Sequence, residues 1–246
     1  MTSAAPDPDG GALTIREERS LILPGMKVDY KKKLKLVAPM LIFITIYMVF
    51  FFLVESIDAS SYYVPEIAID HDIPFIPAFI IPYVMWFPWI PFICVWALFT
   101  DEKVFTKITR LLMIGMSLFI IISALFPTKL FLRPDEVPGN DICSRMVRYL
   151  YKIDTPTNVF PSIHVYDTLV LCYGVFIGKC ALFKNTLFRI FTVALTIAIC
   201  AATCFLKQHS VTDGIAAVVM LVVAVAIYDL VASAFRKKKG SGKEAA

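Results

Sequence analysis

Histidine is scarce in this 246-residue chain, which has only three. Its six cysteines include no Cys-x-x-Cys pair. That removes the usual zinc-ligand spacing and leaves no disulfide framework. Cys94, Cys172, Cys180, Cys200 and Cys204 lie in or beside apolar runs and only Cys143 lies outside them, so all six read as packing residues. No self-similar period of 20–50 residues is present, which excludes a solenoid. No run alternates strictly between apolar and polar, which argues against an outer-membrane barrel. Charge is thin: Asp, Glu, Lys and Arg make up 18% of the chain against 58% hydrophobic residues. An ordinary soluble domain is not built this way. The first apolar run has no small-residue cleavage site and about 35 residues before it, so it reads as a span and not as a signal peptide.

What the chain has in quantity is blocks of apolar residues. Six runs approach the length needed to cross about 30 Å of hydrocarbon: 36–54, 79–99, 108–126, 163–183, 187–206 and 214–235. The expected fold is all-α, a polytopic six-helix transmembrane bundle occupying residues 27–239. Residues 1–26 are expected to be a flexible cytoplasmic segment carrying at most a short surface helix over 14–20, and residues 240–246 a disordered tail. Pro82, Pro88 and Pro91 fall in the second run, where prolines kink membrane helices without breaking them. Its Trp86, Trp89 and Trp96 are expected in lipid contact and packing, with a Trp belt or a ligand-facing surface as the alternatives.

Net charge is +4, and its placement says more than its sum. Lys27, Lys31, Lys32, Lys33 and Lys35 precede the first run. Lys103, Lys107 and Arg110 lie at the junction of the second and third, Lys179, Lys184 and Arg189 flank the link of the fourth and fifth, and Arg236–Lys239 follow the sixth. The loop 55–78 has no Lys or Arg and carries Glu55, Asp58, Glu66, Asp70 and Asp72. The positive-inside rule then places both termini in the cytoplasm. The basic residues read as topogenic and lipid-facing, and no nucleic-acid partner is expected.

Against that trend, the outer link 127–160 holds Lys129, Arg133, Arg145, Arg148 and Lys152. An anionic ligand is one reason for cations there; a solvated loop balanced by Asp135, Glu136, Asp141 and Asp154 is the other. Two histidines open apolar runs on this same side: His164 in Pro161-Ser162-Ile163-His164, and His209, four residues before Asp213. Ionisable groups at such places are costly and are functional suspects. His209 and Asp213 share a helix face. A carboxylate holding one imidazole nitrogen leaves the other free as a nucleophile. Ser162 can cap the fourth helix, whose N-terminal N–H groups favour an anion. His164, in the first turn, can serve as a general acid. The guanidinium of Arg133 can fork onto phosphate oxygens. Each piece alone has a structural reading as well: a hydrogen-bonded pair, a cap, an interfacial histidine. Asp167, one turn past His164, either orients it or bonds to a neighbouring helix. His71 reads as a surface histidine, and Asp229 as a partner of the 236–239 run.

Lys129 with Arg133-Pro134, then Pro161-Ser162-Ile163-His164, then His209-x-x-x-Asp213, in this order and at these membrane positions, resembles the type 2 phosphatidic acid phosphatase superfamily, and a divergent bacterial branch of it. The resemblance spans residues 127–213 by motif. It implies a six-helix membrane fold in a bacterial plasma membrane, with the site facing outward and no metal or cofactor required. It implies His209 as the nucleophile that carries a phosphohistidine, Asp213 as its support and His164 as the acid. Arg133, Ser162 and Lys129 would hold phosphate. The sequence differs from the family pattern at three places. Ile163 stands for a glycine. Lys129 is four residues before Arg133, where the family lysine is seven before and Phe126 stands here. Ala202-Thr203 stands for a Ser-Arg pair, and Lys207 is expected to take over the lost clamp.

The function so implied is hydrolysis of a lipid phosphate or pyrophosphate, with a phospholipid or prenyl phosphate as substrate and membrane lipids as surroundings. Transfer to a lipid or head-group hydroxyl is the rival of the same fold. A non-catalytic lipid-phosphate binder or transporter is the rival of another class.

Overall fold

The computed structural model describes residues 29–57 and 59–244, with backbone alone from 235 onward. The expected flexible segment 1–26, its short helix over 14–20, Lys27 and Asp58 lie outside the described residues. Asp29 caps helix α1 (Tyr30–Glu55) by accepting from Lys32 N at 3.0 Å. A one-turn helix α2 (Ala68–Asp72) and a 3-10 turn (Pro77–Phe79) lead into α3 (Ile80–Thr100). Asp101 caps α4 (Glu102–Leu125), and Asp141 caps α5 (Ile142–Ile153) through Cys143 N and Ser144 N. Ser162 caps α6 (Ile163–Ile177), and the short α7 (Ala181–Lys184) follows. Asn185 caps α8 (Thr186–Phe205), and α9 runs from Val211 to Glu244. Each of these caps supplies an acceptor to an N–H that the helix cannot satisfy itself. Helix α9 continues through residues 240–244, where the sequence led us to expect a tail.

Five of these helices are long and apolar enough to cross a membrane: α1, α3 with its leading turn, α4, α8 and α9 over Val211–Ala234. Their outward faces expose Ile46, Leu53, Ile81, Phe87, Ile121, Ile197, Val222 and Leu230, as a lipid-facing surface would. The run 163–183, read as a span of full length, is instead a 15-residue helix that ends before Gly178. At 1.5 Å per residue it rises about 22 Å, short of the roughly 30 Å of a bilayer core. The cause is local. A Cβ on Gly178 would stand 2.3 Å from Cδ2 of Phe183, so the fully buried Phe183 ring lies against the bare backbone where the chain turns.

Helix α6 is the hub of the bundle and packs against α4, α8 and α9. Val170, Leu171 and Val175 have no exposed surface. The Tyr166 ring crosses α4 at Gly115, where a Cβ would come within 1.9 Å of it, and its Oη donates to Leu111 O at 2.8 Å.

The two ends of the bundle differ in chemistry. At one end Lys32 and Lys33 pair with Glu102 at 2.6 and 2.9 Å, and Lys179 N donates to Asp101 Oδ2 at 3.0 Å. Lys107 pairs there with Asp229 at 2.8 Å, so among the described residues the partner of Asp229 is a lysine of α4; the side chains of the 236–239 run lie outside the described residues. At the other end lie the close of α1, the starts of α3, α6 and α9, and the last turns of α4 and α8. Short extended segments stitch that end together. Tyr63 bridges Thr128, Lys129 bridges Thr157, and Thr128 Oγ1 accepts from Val159 N and Phe160 N. Helix α5, inside the link read from sequence as one long loop, buries Val147 at this end and exposes Ile142, Met146, Tyr149 and Ile153 on one stripe.

Candidate active site

Both imidazoles stand at the stitched end, because the helices that carry them are tied together there. Ser162 N, at the start of α6, donates to Asp213 O in the first turn of α9 at 3.1 Å. Ser162 is fully buried, and its Oγ accepts from Val165 N at 3.3 Å as the cap. The ring centroids of His164 and His209 are 5.5 Å apart, and His209 Nε2 lies 3.4 Å from His164 Nδ1. Nδ1 of His209 is 3.3 Å from Asp213 Oδ2, and the same oxygen accepts from Ser210 N at 2.9 Å. An ionised carboxylate only accepts, so the proton of His209 belongs on Nδ1. Its Nε2 then carries a lone pair directed at His164, and His164 Nδ1 carries the facing proton. Asp213 is fully buried and ties this loop through both its carboxylate and its carbonyl.

Two aromatic rings of α3 fix His164. Tyr83 and Trp86 have ring centroids 4.7 and 4.5 Å from its imidazole. Trp86 therefore faces the site, the alternative that the sequence had ranked below lipid contact and packing. Asp167 is buried on α6, but none of its described hydrogen bonds reaches His164, and its Oδ1 meets no donor among the described residues.

Arg133 reaches the site from the outer link. Its Nη1 donates to Asp154 O at 2.8 Å, and its Nη2 to Thr155 O at 3.2 Å and to Gln208 Oε1 at 2.5 Å. The guanidinium carbon lies 4.4 Å over the Tyr151 ring, and Tyr151 Oη donates to Leu206 O at 2.7 Å. Burial draws the guanidinium's pKa down and Asp154 opposes this; an arginine stays cationic regardless. Burial pushes the Asp154 carboxyl up, against the pull of Arg133 and His209. It also pushes the Tyr151 phenol up to about 12. Asp154–Asn158 is anchored in turn by Glu55 at the end of α1, which accepts from Asn158 Nδ2 at 2.9 Å and from the hydroxyls of Thr155 and Thr157.

Two expected phosphate donors are occupied elsewhere. Lys207 is buried, and its ammonium donates to Asp70 O at 2.6 Å and Ile73 O at 2.5 Å, in the segment of α2. Its ammonium is committed to these carbonyls, where the sequence suggested a phosphate clamp. It holds the His209 loop onto the first outer segment. Its backbone sits at φ 52°, a left-handed conformation that costs a β-carbon residue about 1–2 kcal/mol. Burial lowers its pKa, and Asp70 and Glu66 resist that. Lys129 turns away as well, with its ammonium over the rings of Tyr62 and Phe131 at 5.6 and 5.5 Å.

Three further residues shape the site and were not singled out from sequence. Asp70 accepts from Ser210 Oγ (2.7 Å), Val211 N (2.8 Å) and Ile67 N (2.8 Å), fastening the start of α9. Glu55 anchors the loop that holds Arg133. Gln208, 3% exposed, binds Arg133 directly. Position was the only available signal: Gln208 adjoins a suspect histidine, Glu55 borders the first apolar run, and Asp70 lies among the acidic residues of the loop 55–78. His71 lies at the surface near Glu66, as expected. All six cysteines are free thiols. Among the described residues no group of three or more His, Cys, Asp or Glu is placed to hold a metal ion.

The arrangement offers a lone-pair nitrogen backed by a carboxylate, a second imidazole bearing a proton toward it, and a fixed guanidinium with N–H groups to spare. No family model, curated protein or solved structure matches the chain.

Proposed function

We propose that this chain is an integral membrane enzyme of the type 2 phosphatidic acid phosphatase kind, cleaving a phosphate ester or anhydride of a lipid. The observation that carries the reading is the His209–His164 pair, 3.4 Å between facing nitrogens, with Asp213 behind His209. In the first step the Nε2 lone pair attacks phosphorus. The bond to the leaving oxygen breaks, and that oxygen takes the Nδ1 proton of His164. In the second step water attacks the phosphohistidine, His164 Nδ1 takes a water proton, and the N–P bond returns its pair to Nε2. Asp213 stabilises the imidazolium that forms. An attacking nitrogen needs phosphorus at about 3–3.5 Å, with the leaving oxygen beyond it. A phosphoryl group therefore has to part the two rings on entry. Tyr83 and Trp86 hold His164, so the adjustment falls on His209.

Helix α6 would be the sixth span of that fold. The end bearing Lys33, Lys107 and Lys179 would face the cytoplasm, with both termini, and the histidine end would face outward in a bacterial plasma membrane. A cavity of about 880 Å³ beside Arg133 favours a second reading, transfer to a hydroxylated acceptor. Asp135, Glu136, Asn140 and Lys152 line it, and it shares Tyr151 with the guanidinium. Product analysis separates the two, since hydrolysis consumes water and transfer makes a new phosphoester of the acceptor.

The test is to trap the intermediate. Purified protein given lipid labelled on phosphorus and quenched in alkali should carry label on His209. The His209→Ala protein should carry none and should not turn over. Turnover by His209→Ala at the wild-type rate would remove the mechanism.

A further inference from the structure

The charge of the ligand can be read from the donors that meet it. Arg133 uses three of its five N–H groups on Asp154 O, Thr155 O and Gln208 Oε1. Its buried Nε has no acceptor among the described residues. A guanidinium only donates, so the Gln208 oxygen must face it, which fixes the amide's orientation and turns Nε2 the other way. That Nε2 is also buried and without an acceptor among the described residues. Gln208 is the neighbour of His209. A buried amide or guanidinium N–H without an acceptor is costly, and a site built to bind is where such a cost is retained.

Three of the other cations at this end are committed, while Arg145 and Lys152 stand on α5, and Lys152 lines the cavity that shares Tyr151 with the guanidinium. The ammonium of Lys207 serves the Asp70 and Ile73 carbonyls, and Lys129 lies over aromatic rings. Arg148 donates to Val137 O and Gly139 O. Carboxylates stand close instead: Asp213 behind His209, Asp154 beside Arg133, and Glu55 under the Asp154–Asn158 loop. The clamp is one permanent cation and one neutral amide.

We propose that Gln208 Nε2 and Arg133 Nε together bind the phosphate, and that this clamp selects a lipid phosphodiester, with one negative charge on the phosphorus attacked, over a phosphomonoester with two. The proposal rests on the phosphohistidine reading. His209 attacks the diester, one P–O bond breaks, and its oxygen leaves with the proton of His164. The second ester bond stays on the phosphorus held by His209. Water then releases a phosphomonoester, or an acceptor hydroxyl gives a new diester. A monoester product gains charge as it forms and is held less well by the same clamp, which favours its release.

The experiment compares a short-chain lipid phosphodiester with its matched phosphomonoester, using the full chain in detergent at pH 8. Binding of dimethyl phosphate and of inorganic phosphate is followed separately by 31P line broadening. The wild type should prefer the diester in kcat/KM by roughly tenfold, the scale of one hydrogen bond to a charged group. The preference should shrink as pH falls below about 6, where a monoester takes up its second proton. Gln208→Arg adds the second cation and should reverse the order, and Gln208→Ala should weaken both ligands. A wild type that prefers the monoester, or binds inorganic phosphate more tightly than dimethyl phosphate at pH 8, overturns the proposal even if Gln208→Arg does not fold. An unchanged ratio in a folded Gln208→Arg protein overturns it too. If dimethyl phosphate binds preferentially but no ester yields labelled His209, the phosphohistidine reading fails and the charge selection stands.

Discussion

The backbone N–H of Ser162 donates to the carbonyl of Asp213 at 3.1 Å, joining the first residues of α6 and α9 across 51 positions of sequence. One main-chain bond thus sets the spacing of the two histidines, since His164 follows the donor by two residues and His209 precedes the acceptor by four. The side chains act on a frame that the backbone defines.

Ser162→Ala keeps that N–H and removes the cap. We expect a loss of about 1 kcal/mol in stability, the usual value of a serine cap. If the hydroxyl also holds phosphate, KM rises severalfold on top of this. Denaturation midpoints and initial rates measured on the same preparation separate the two effects, and unchanged stability would refute the capping role.

Lys207 is expected to act as a structural pin. Lys207→Met should destabilise the protein by removing two ammonium hydrogen bonds. Lys207→Gly should recover about 1 kcal/mol of that loss by relieving the left-handed backbone. A lysine that bound phosphate would behave differently: both variants would raise KM equally, and Lys207→Met would leave the thermal midpoint alone.

Trp86 should matter to the acid and not to the nucleophile. Trp86→Leu removes one of the two rings against His164, and kcat should fall about tenfold, a fraction of what general acid catalysis supplies. Trp86→Phe should restore most of it. Labelling of His209 in a single turnover should slow in Trp86→Leu while the amount of label at completion stays the same. Unaltered kcat would show that Tyr83 alone suffices.

Gly115→Ala introduces a methyl group where the Tyr166 ring passes within 1.9 Å of the Cβ position. Overpacking of this kind costs roughly 1–3 kcal/mol. Thermal unfolding in detergent should show it, and an unchanged midpoint would mean that α4 and α6 can separate freely.

Burial raises the Asp154 carboxyl's pKa in the folded protein. The folded state therefore favours its protonated form. That stability is complete below the unfolded value of about 4 and is lost as pH rises through the higher folded value. Asp154→Asn keeps the carbonyl that Arg133 uses and removes the titration. Its midpoint should exceed that of the wild type at pH 8, and the two should converge near pH 4. A wild type that is the more stable of the two at pH 8 would reverse the sign and refute the assignment.

The sequence made some of this site legible and hid the rest, for physical reasons. His164, His209 and Asp213 could be found because ionisable groups at the edges of apolar runs are rare, and because a four-residue spacing fixes a shared helix face. Arg133 stood out as a cation on the side that disfavours cations. Lys207 and Lys129 misled for the opposite reason: a lysine stem is long and flexible, so its neighbours in sequence do not decide where its ammonium goes. The acceptors of Lys207 are more than 130 residues away, on Asp70 and Ile73. Gln208 was overlooked because a neutral amide has no periodic or charge signature, and its role exists only once Arg133 is folded over it. The fourth run ends its helix at Ile177, and Phe183 packs against Gly178 where the chain turns, a contact that hydropathy cannot register. Helix α5 was concealed because its polar residues made the link read as a loop, although its apolar positions recur at helical spacing.

The short α6 has a consequence for the membrane around it. In the proposed membrane placement its lower end, level with Asp101, which accepts from Lys179 N, would lie at one surface, and a rise of about 22 Å would leave its upper end several ångströms beneath the opposite surface of a bilayer about 30 Å thick. Either the lipids dip there or water descends to meet the helix. In a thicker bilayer the dip deepens and the path for water lengthens, so turnover would depend on acyl-chain length of lipids that are never substrates.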